Sequence, residues 1–305
     1  MTSDNLIETF IIERSGLRGR IVRMGAVLDD ILKPHGYVPA VSHVTAEAAL
    51  LATMLASMLK YQGIFTLQAQ GDGPVAVVVA DLNSAGELRA CATVREAHKD
   101  KVPESAGPME TGALFGKGYL AFTVDQGAQT ERYQGIVELK PGRLEESVRN
   151  YFRQSEQIMT GLKMAVSFKD GHWRGGGILI QHIPEEGGQQ RTVSSIEEDA
   201  WRHTMILLES CTDAELTDPG LDANELLFRL FHEDGVRVFE PLALRKGCRC
   251  TRDRLSGILS SMPQSDIDDM AEGGVVTMTC QFCSCDFTFA PEDIAKAQAS
   301  SRDEG

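Results

Sequence analysis

The chain has 305 residues, 42% hydrophobic and 24% charged, with a formal net charge of −14 from 30 basic and 44 acidic side chains. That length allows about two domains of ~150 residues with enough apolar content to bury a core. The acidic balance argues against a general nucleic-acid or anionic-membrane binder, which needs clustered lysine and arginine.

The first ten residues hold Asp4 and Glu8 and no basic residue ahead of a short apolar run, so the n-region of a signal peptide is missing. The most apolar stretches, 46–59 and 75–80, fall short of the ~18 residues that span a bilayer. A cytoplasmic location is expected. Residues 46–61 place Leu50, Leu51, Met54, Leu55, Met58 and Leu59 at helical spacing with few polar interruptions, which predicts a buried helix. Residues 64–70, 75–80, Glu87–Val94, 119–124 and 134–139 are short and β-rich. Turn signals such as Gly71-Asp72-Gly73-Pro74 and Asn83-Ser84-Ala85-Gly86 separate them. Leu88, Ala90, Ala92 and Val94 alternate as a half-buried strand requires. The run Gly112-Ala113-Leu114-Phe115-Gly116-Lys117-Gly118 has the wrong glycine spacing for a P-loop and no Ser or Thr after the lysine, so it reads as a glycine-rich turn. Leu144, Val148, Tyr151, Phe152 and Ser155 mark a second helix, and 163–168 and 177–183 two further strands. The order predicts an α+β domain over 1–183, a mixed α/β arrangement of a β-sheet with packed helices rather than a regular βαβ array.

Residues 184–190 form a polar break. Ser194 and Ser195, with Glu197 and Glu198 three residues on, offer capping boxes for a helix with Trp201, Met205 and Leu208 on one face. Asp222 with Glu225 caps a further helix carrying Leu226, Leu227, Leu230 and Phe231. Such short amphipathic helices are marginal alone, so their apolar stripes must dock on something. This predicts a helical linker at 184–247, then a small C-terminal module at 248–305 with a polar tail.

Five of the seven cysteines fall in that last module. Cys248-Arg249-Cys250 is followed, after 29 residues, by Cys280-Gln281-Phe282-Cys283. In a reducing compartment, clustered pairs mean metal binding or redox chemistry rather than a secreted disulfide framework. Two close pairs supply four sulfurs for one tetrahedral ion, and thiolate-only coordination selects zinc or an iron–sulfur centre. Cys-x-Cys is tighter than the usual zinc-ribbon spacing. A disulfide across it closes a small, strained ring, and strained disulfides are labile or regulatory. Arg245, Lys246, Arg249, Arg252 and Arg254 surround the first pair and are expected to support thiolates; a solvated basic face is the plainer alternative. Cys285 has three open roles, as a spare exposed thiol (favoured), an alternative ligand or a competing disulfide partner. Cys91 and Cys211 read as ordinary buried residues, and the seven histidines show no metal or triad spacing.

On these residues the chain resembles the thirty-three-kilodalton heat-shock protein family, the redox-regulated holdase chaperones of bacteria. The Cys-x-Cys and Cys-x-x-Cys pairs at this gap carry the resemblance, together with Phe282 and Phe287-Thr288-Phe289. So do the segments 68–74, 133–137, 151–157 and 226–232, so it covers nearly the whole chain. The resemblance implies that the reduced protein holds Zn²⁺ through Cys248, Cys250, Cys280 and Cys283 and is inactive. It implies that oxidation joins Cys248 to Cys250 and Cys280 to Cys283, releases the zinc, unfolds the module and loosens the linker. The oxidised form then dimerises, holds unfolded client proteins without ATP and passes them to ATP-dependent foldases; it is a binding protein, not an enzyme. A cysteine at position 285 departs from the family's pattern and bears on which disulfides form. Two other readings compete: a thiol-disulfide oxidoreductase using Cys280 and Cys283, and a zinc-ribbon nucleic-acid module.

Overall fold

Asn5–Ile12 (β1) and Leu17–Met24 (β2) pair as an antiparallel hairpin at the start of the chain. In the computed structural model, which describes residues 4–59, 61–105, 107–127, 133–182 and 195–295, this hairpin organises the first of two sheets. The polar break at 184–190, Ser194 with its capping box, the side chain of Ser195 and the tail beyond 295 lie outside what is described. The chain divides into two units, Met1–Lys246 and Gly247–Gly305.

After the short helix Ala26–Leu32 (α1) comes Pro39–Ala56 (α2), which begins earlier and ends sooner than the leucine pattern predicts. Proline at its first turn has no N–H to lose there and a fixed φ suited to the helix. Every residue of α2 from Ala40 to Ala56 is buried, because strands of both sheets pack against it. By length and composition α2 meets the criterion for a membrane span, yet it is a core helix. Burial on all sides encloses His43 and Glu47, and the half-buried Arg143 reaches in to them. Arg143 donates to Glu47 Oε1 at 3.1 Å, and His43 Nδ1 lies 3.8 Å from the same oxygen. Burial pushes the Glu47 carboxyl up to about 7 against the pull of Arg143. Burial and the Arg143 charge bring His43 down to about 4.

The second sheet holds the strands that the β-rich runs and turn signals predict: Ile64–Gly71 (β3), Val75–Asn83 (β4), Glu87–Val94 (β5), and, after the short helix Thr111–Phe115 (α3), Gly118–Asp125 (β6) and Tyr133–Glu138 (β7). Its order is β5-β4-β3-β6-β7, all antiparallel. The glycine-rich run is not a single turn: 112–115 lie in α3, Gly116 and Lys117 make the bend, and Gly118 opens β6. A Cβ at Gly71 would lie 2.0 Å from the Phe115 carbonyl oxygen, and Gly73 N–H donates to that oxygen at 2.7 Å. The Gly71-Asp72-Gly73 and Gly112–Gly118 segments therefore explain each other by backbone packing.

Leu144–Tyr151 (α4) runs into a wider π turn, Phe152–Glu156, instead of continuing as regular helix. Thr160–Lys169 (β8) and His172–Gln181 (β9) then return to the first sheet. Next come Ser195–Ser210 (α5), Asp213–Thr217 (α6) and Ala223–Phe231 (α7). The Asp222 carboxylate accepts from Glu225 N at 2.8 Å, as its position predicts. A Thr212–Glu215 capping box opens α6, a helix the apolar spacing does not reveal.

The docking surface required by these helices is the first sheet. Leu208, Leu216, Leu226, Leu227 and Phe231 are buried in one cluster with Phe10, Ile12, Leu17, Ile21, Ile178 and Ile180. Beyond α7 the chain adds strands: Val236–Val238 (β10) and Leu242–Ala243 (β11) pair with β1, and Arg245–Lys246 (β12) pairs in parallel with β5.

The second unit contains Arg252–Ser260 (α8), Gln264–Met270 (α9), and a three-stranded sheet of Ala271–Glu272 (β13), Val275–Thr279 (β14) and Asp286–Phe289 (β15). Its core is Leu259, Ile267, Val276, Phe289 and Ile294.

Candidate metal centre

Two local devices bring four cysteines to one point. Cys248 and Cys250 stand immediately before α8. The Thr251 hydroxyl accepts from Arg254 N at 3.2 Å and caps that helix, so the chain is turned just after the second sulfur. Cys280 and Cys283 lie in the loop of the β14–β15 hairpin, whose last pair is Thr279 with Asp286. Cys280 N donates to Cys285 O at 2.9 Å, and Ser284 N donates to Cys280 O at 2.8 Å. Ser284 takes a left-handed φ of 55° to close the loop.

All four cysteines are unbonded thiols, Cys283 buried and the others half-buried. Cys248 Sγ is 3.3 Å from Cys250 Sγ and 3.6 Å from Cys280 Sγ, and Cys250 Sγ is 3.4 Å from Cys283 Sγ. The four sulfurs lie within 4.8 Å of one another, the one such group among the described residues. Sulfurs bound ~2.3 Å from a central ion form a tetrahedron with edges of about 3.8 Å, so the donor set fits a single thiophilic cation.

The electrostatics agree. Burial pushes the Cys248 thiol up, but hydrogen bonds from Cys250, Cys280 and Cys283 outweigh it and bring it down to about 7. Burial pushes Cys250, Cys280 and Cys283 up. Protons alone thus favour one thiolate shared among its neighbours. A soft dication, if bound, would allow the other three to ionise.

The predicted basic support takes a different form. Arg245 pairs with Glu87 at 2.9 Å, Lys246 donates to the Asp30 carbonyl, and Arg252 pairs with Asp293 at 2.8 Å while its guanidinium lies over the Phe289 ring. These three charges answer other partners, and the Cys248 shift arises from backbone and sulfur hydrogen bonds. Cys285 is an exposed thiol whose carbonyl helps to close the loop. Cys91 and Cys211 are buried as expected, and burial pushes Cys211 up to about 11. The oxidoreductase reading places a Cys-x-x-Cys at a helix N-terminus. Here that pair occupies a β-hairpin loop. The capping threonine and the loop-closing serine carry no signature in the cysteine spacing; only Thr251 directly after Cys250 hints at a helix start.

The family model described as "Hsp33 protein" matches residues 4–290. The 33 kDa chaperonin of Caulobacter vibrioides is 38% identical over 288 residues, spanning 92% of this chain and 93% of the relative. That of Escherichia coli is 33% identical over 297 residues, spanning 97% and 96%. The crystal structure of the 33 kDa chaperonin from Thermotoga maritima superimposes with a TM-score of 0.80 over 98% of this chain and 99% of that one, at 21% identity.

Proposed function

The chain belongs to the Hsp33 family of chaperones, and from that premise we propose that it is an ATP-independent holdase of the bacterial cytoplasm, switched by oxidation of its C-terminal sulfurs. The observation that carries this proposal is the convergence of Cys248, Cys250, Cys280 and Cys283, all unbonded, within 4.8 Å. The metal is Zn²⁺, which when bound supplies charge neutralisation and a crosslink between the two cysteine pairs.

The chain's own residues do the rest. In the reduced state the four thiolates tie the start of α8 to the β14–β15 loop. An oxidant takes two electrons from each pair: with hydrogen peroxide, two thiolates become one S–S bond and the O–O bond becomes two hydroxide ions. Cys248 joins Cys250, and Cys280 joins Cys283. The donor set is then gone, and the small apolar core of residues 248–305 is too little to hold the fold. Loosening spreads to a redox-sensitive linker at 184–247, distinct from the chaperone domain at 1–183. The buried stripe of Leu208, Leu226, Leu227 and Phe231 then becomes available, as does the face of the first sheet beneath it. These surfaces take unfolded clients, the oxidised chain dimerises, and clients pass later to ATP-dependent foldases.

The deciding experiment compares reduced and peroxide-treated full-length protein for zinc released, thiols lost and suppression of aggregation of a heat-denatured client. Zinc release in step with loss of four thiols, with suppression confined to the oxidised sample, is expected. Equal suppression in both states would remove the switch.

A further inference from the structure

Away from the cysteines, the first unit holds a cavity of about 190 Å³ at one end of the second sheet. Its apolar walls are Leu55, Met58, Phe65, Phe122, Phe152 and Ile158, and the Gln181 side chain lies at its border. A cavity of ~150 Å³ with comparable walls accepts benzene, so this one has room for a single aromatic ring or a leucine side chain.

The cavity also carries an ordered polar group. The Tyr133 hydroxyl donates to Glu156 Oε1 at 2.7 Å, the Tyr151 hydroxyl donates to the same oxygen at 2.5 Å, and the two hydroxyls are 2.8 Å apart. The π turn Phe152–Glu156 makes this possible. Its wider turn, closed by Gln157 at φ 55°, folds Glu156 back onto Tyr151, and π turns recur at functional sites. The hydrogen bonds from Tyr151 and Tyr133 hold the Glu156 carboxyl below its ordinary range. Among the described residues no lysine or arginine pairs with it. A carboxylate fixed by two phenols beside an apolar hollow is complementary to a cation attached to an apolar group.

Tyr133 opens β7, the last strand of its sheet. Leu139 N donates to Gly118 O at 3.0 Å, so alternate positions Gly135 and Val137 turn their backbone groups toward β6. Gln134, Ile136 and Glu138 turn theirs outward. Among the described residues no strand pairs with that outer side, and Ile136 and Tyr133 are 59% and 47% exposed. An edge strand with free backbone groups binds an extended chain by adding it as a further strand.

We propose that β7 and this cavity together bind an extended polypeptide segment in which a phenylalanine-sized apolar side chain neighbours a lysine or arginine. The backbone pairs with β7, the apolar side chain enters the cavity, and the cation meets Glu156. The net charge of −14 favours approach of such basic segments. The identification of that segment with an unfolded client rests on the chaperone function proposed above; the binding chemistry does not.

The test uses the reduced full-length chain and three fluorescent peptides that are alike except for a central Phe-Lys, Phe-Glu or Ala-Lys. By anisotropy, Phe-Lys should bind about tenfold more tightly than either of the others, the scale of one charge-assisted contact. Glu156→Gln should bring Phe-Lys and Phe-Glu within about twofold while leaving the preference for Phe over Ala. If that variant fails to fold, a benzophenone in place of the peptide phenylalanine, on unmodified protein, should crosslink to Tyr133, Phe152 or Ile158. Equal affinity for Phe-Lys and Phe-Glu, crosslinks elsewhere, or phenethylamine binding as tightly as the peptide would overturn the proposal. A chain that binds these peptides yet suppresses no aggregation in either redox state would lose the chaperone function and keep this site.

Discussion

The two units solve the same problem by opposite means. In Met1–Lys246 a helix sits among strands of two sheets, and apolar burial is extensive enough to enclose Glu47 and His43, with the half-buried Arg143 as partner, at a cost the core can bear. In Gly247–Gly305 five buried apolar side chains support two helices and a three-stranded sheet. A core of that size contributes little net stability, and the four sulfurs gathered at one point would supply the missing constraint by holding a metal. The difference teaches that loss of a metal would bear first on one unit of the chain, because only that unit gathers cysteines at one point.

The largest expected effect tests that dependence directly. Cys283→Ser, in reducing buffer with zinc present, removes one donor from a set whose binding contributes on the order of 10 kcal/mol to folding. Hydrogen exchange should show α8 and β14–β15 losing protection while α2 and β3–β6 keep theirs. Protection retained in both units would break the comparison.

A smaller effect is expected within the first unit. Phe231 is fully buried, with its ring stacked on Phe10 at 5.9 Å. Phe231→Ala should cost about 3–5 kcal/mol, concentrated on the docking of α7. Exchange in α7 should rise with no change in β3–β6, and the reduced protein should gain suppression of client aggregation. A variant that loses protection evenly across the unit would show that the helices are plain core.

The third effect concerns pH and has a definite sign. Glu47 is raised from its ordinary 4.5 to about 7, so its contribution is fully present below pH 4.5 and is lost as pH rises through 7. His43 is lowered from 6.5 to about 4, so its contribution is present above 6.5 and is lost as pH falls through 4. In the wild type the two slopes oppose each other. In Glu47→Gln only the histidine slope remains, and stability should rise with pH between 4 and 6.5. The two curves should diverge by up to about 3 kcal/mol across the window. Urea midpoints measured from pH 4 to 8 check this, and parallel curves would show that the Glu47 carboxyl has the same pKa folded and unfolded.

The strands of the second sheet were legible because they are short, β-rich and bounded by turn signals, and Glu87–Val94, whose side chains alternate, has the predicted limits. The first hairpin was not. One of its faces meets α2, the other α5 to α7, and burial on both sides erases the period of two. It also carries Arg23, whose buried guanidinium donates to the Glu215 carbonyl at 2.9 Å and to the Asp218 carbonyl. Such a residue reads as surface until its distant partners are known. The strands β10 to β12 are two or three residues long, too short for any periodic signal. At the cysteines, spacing picked out the four sulfurs that the structure brings together. It did not reveal that Arg252 answers Asp293, because that pairing crosses 41 positions of chain.

The pairing of β1 with β10 and β11 sets a schedule for biosynthesis. Phe10 lies opposite Val238 and Leu6 opposite Ala243, so β1 awaits a neighbour made far later along the chain. At about 5–20 residues per second of translation, that interval is roughly ten seconds or longer. Throughout it the nascent chain presents an unpaired apolar edge, so a protein assigned to shielding others is itself, on the ribosome, a candidate for shielding.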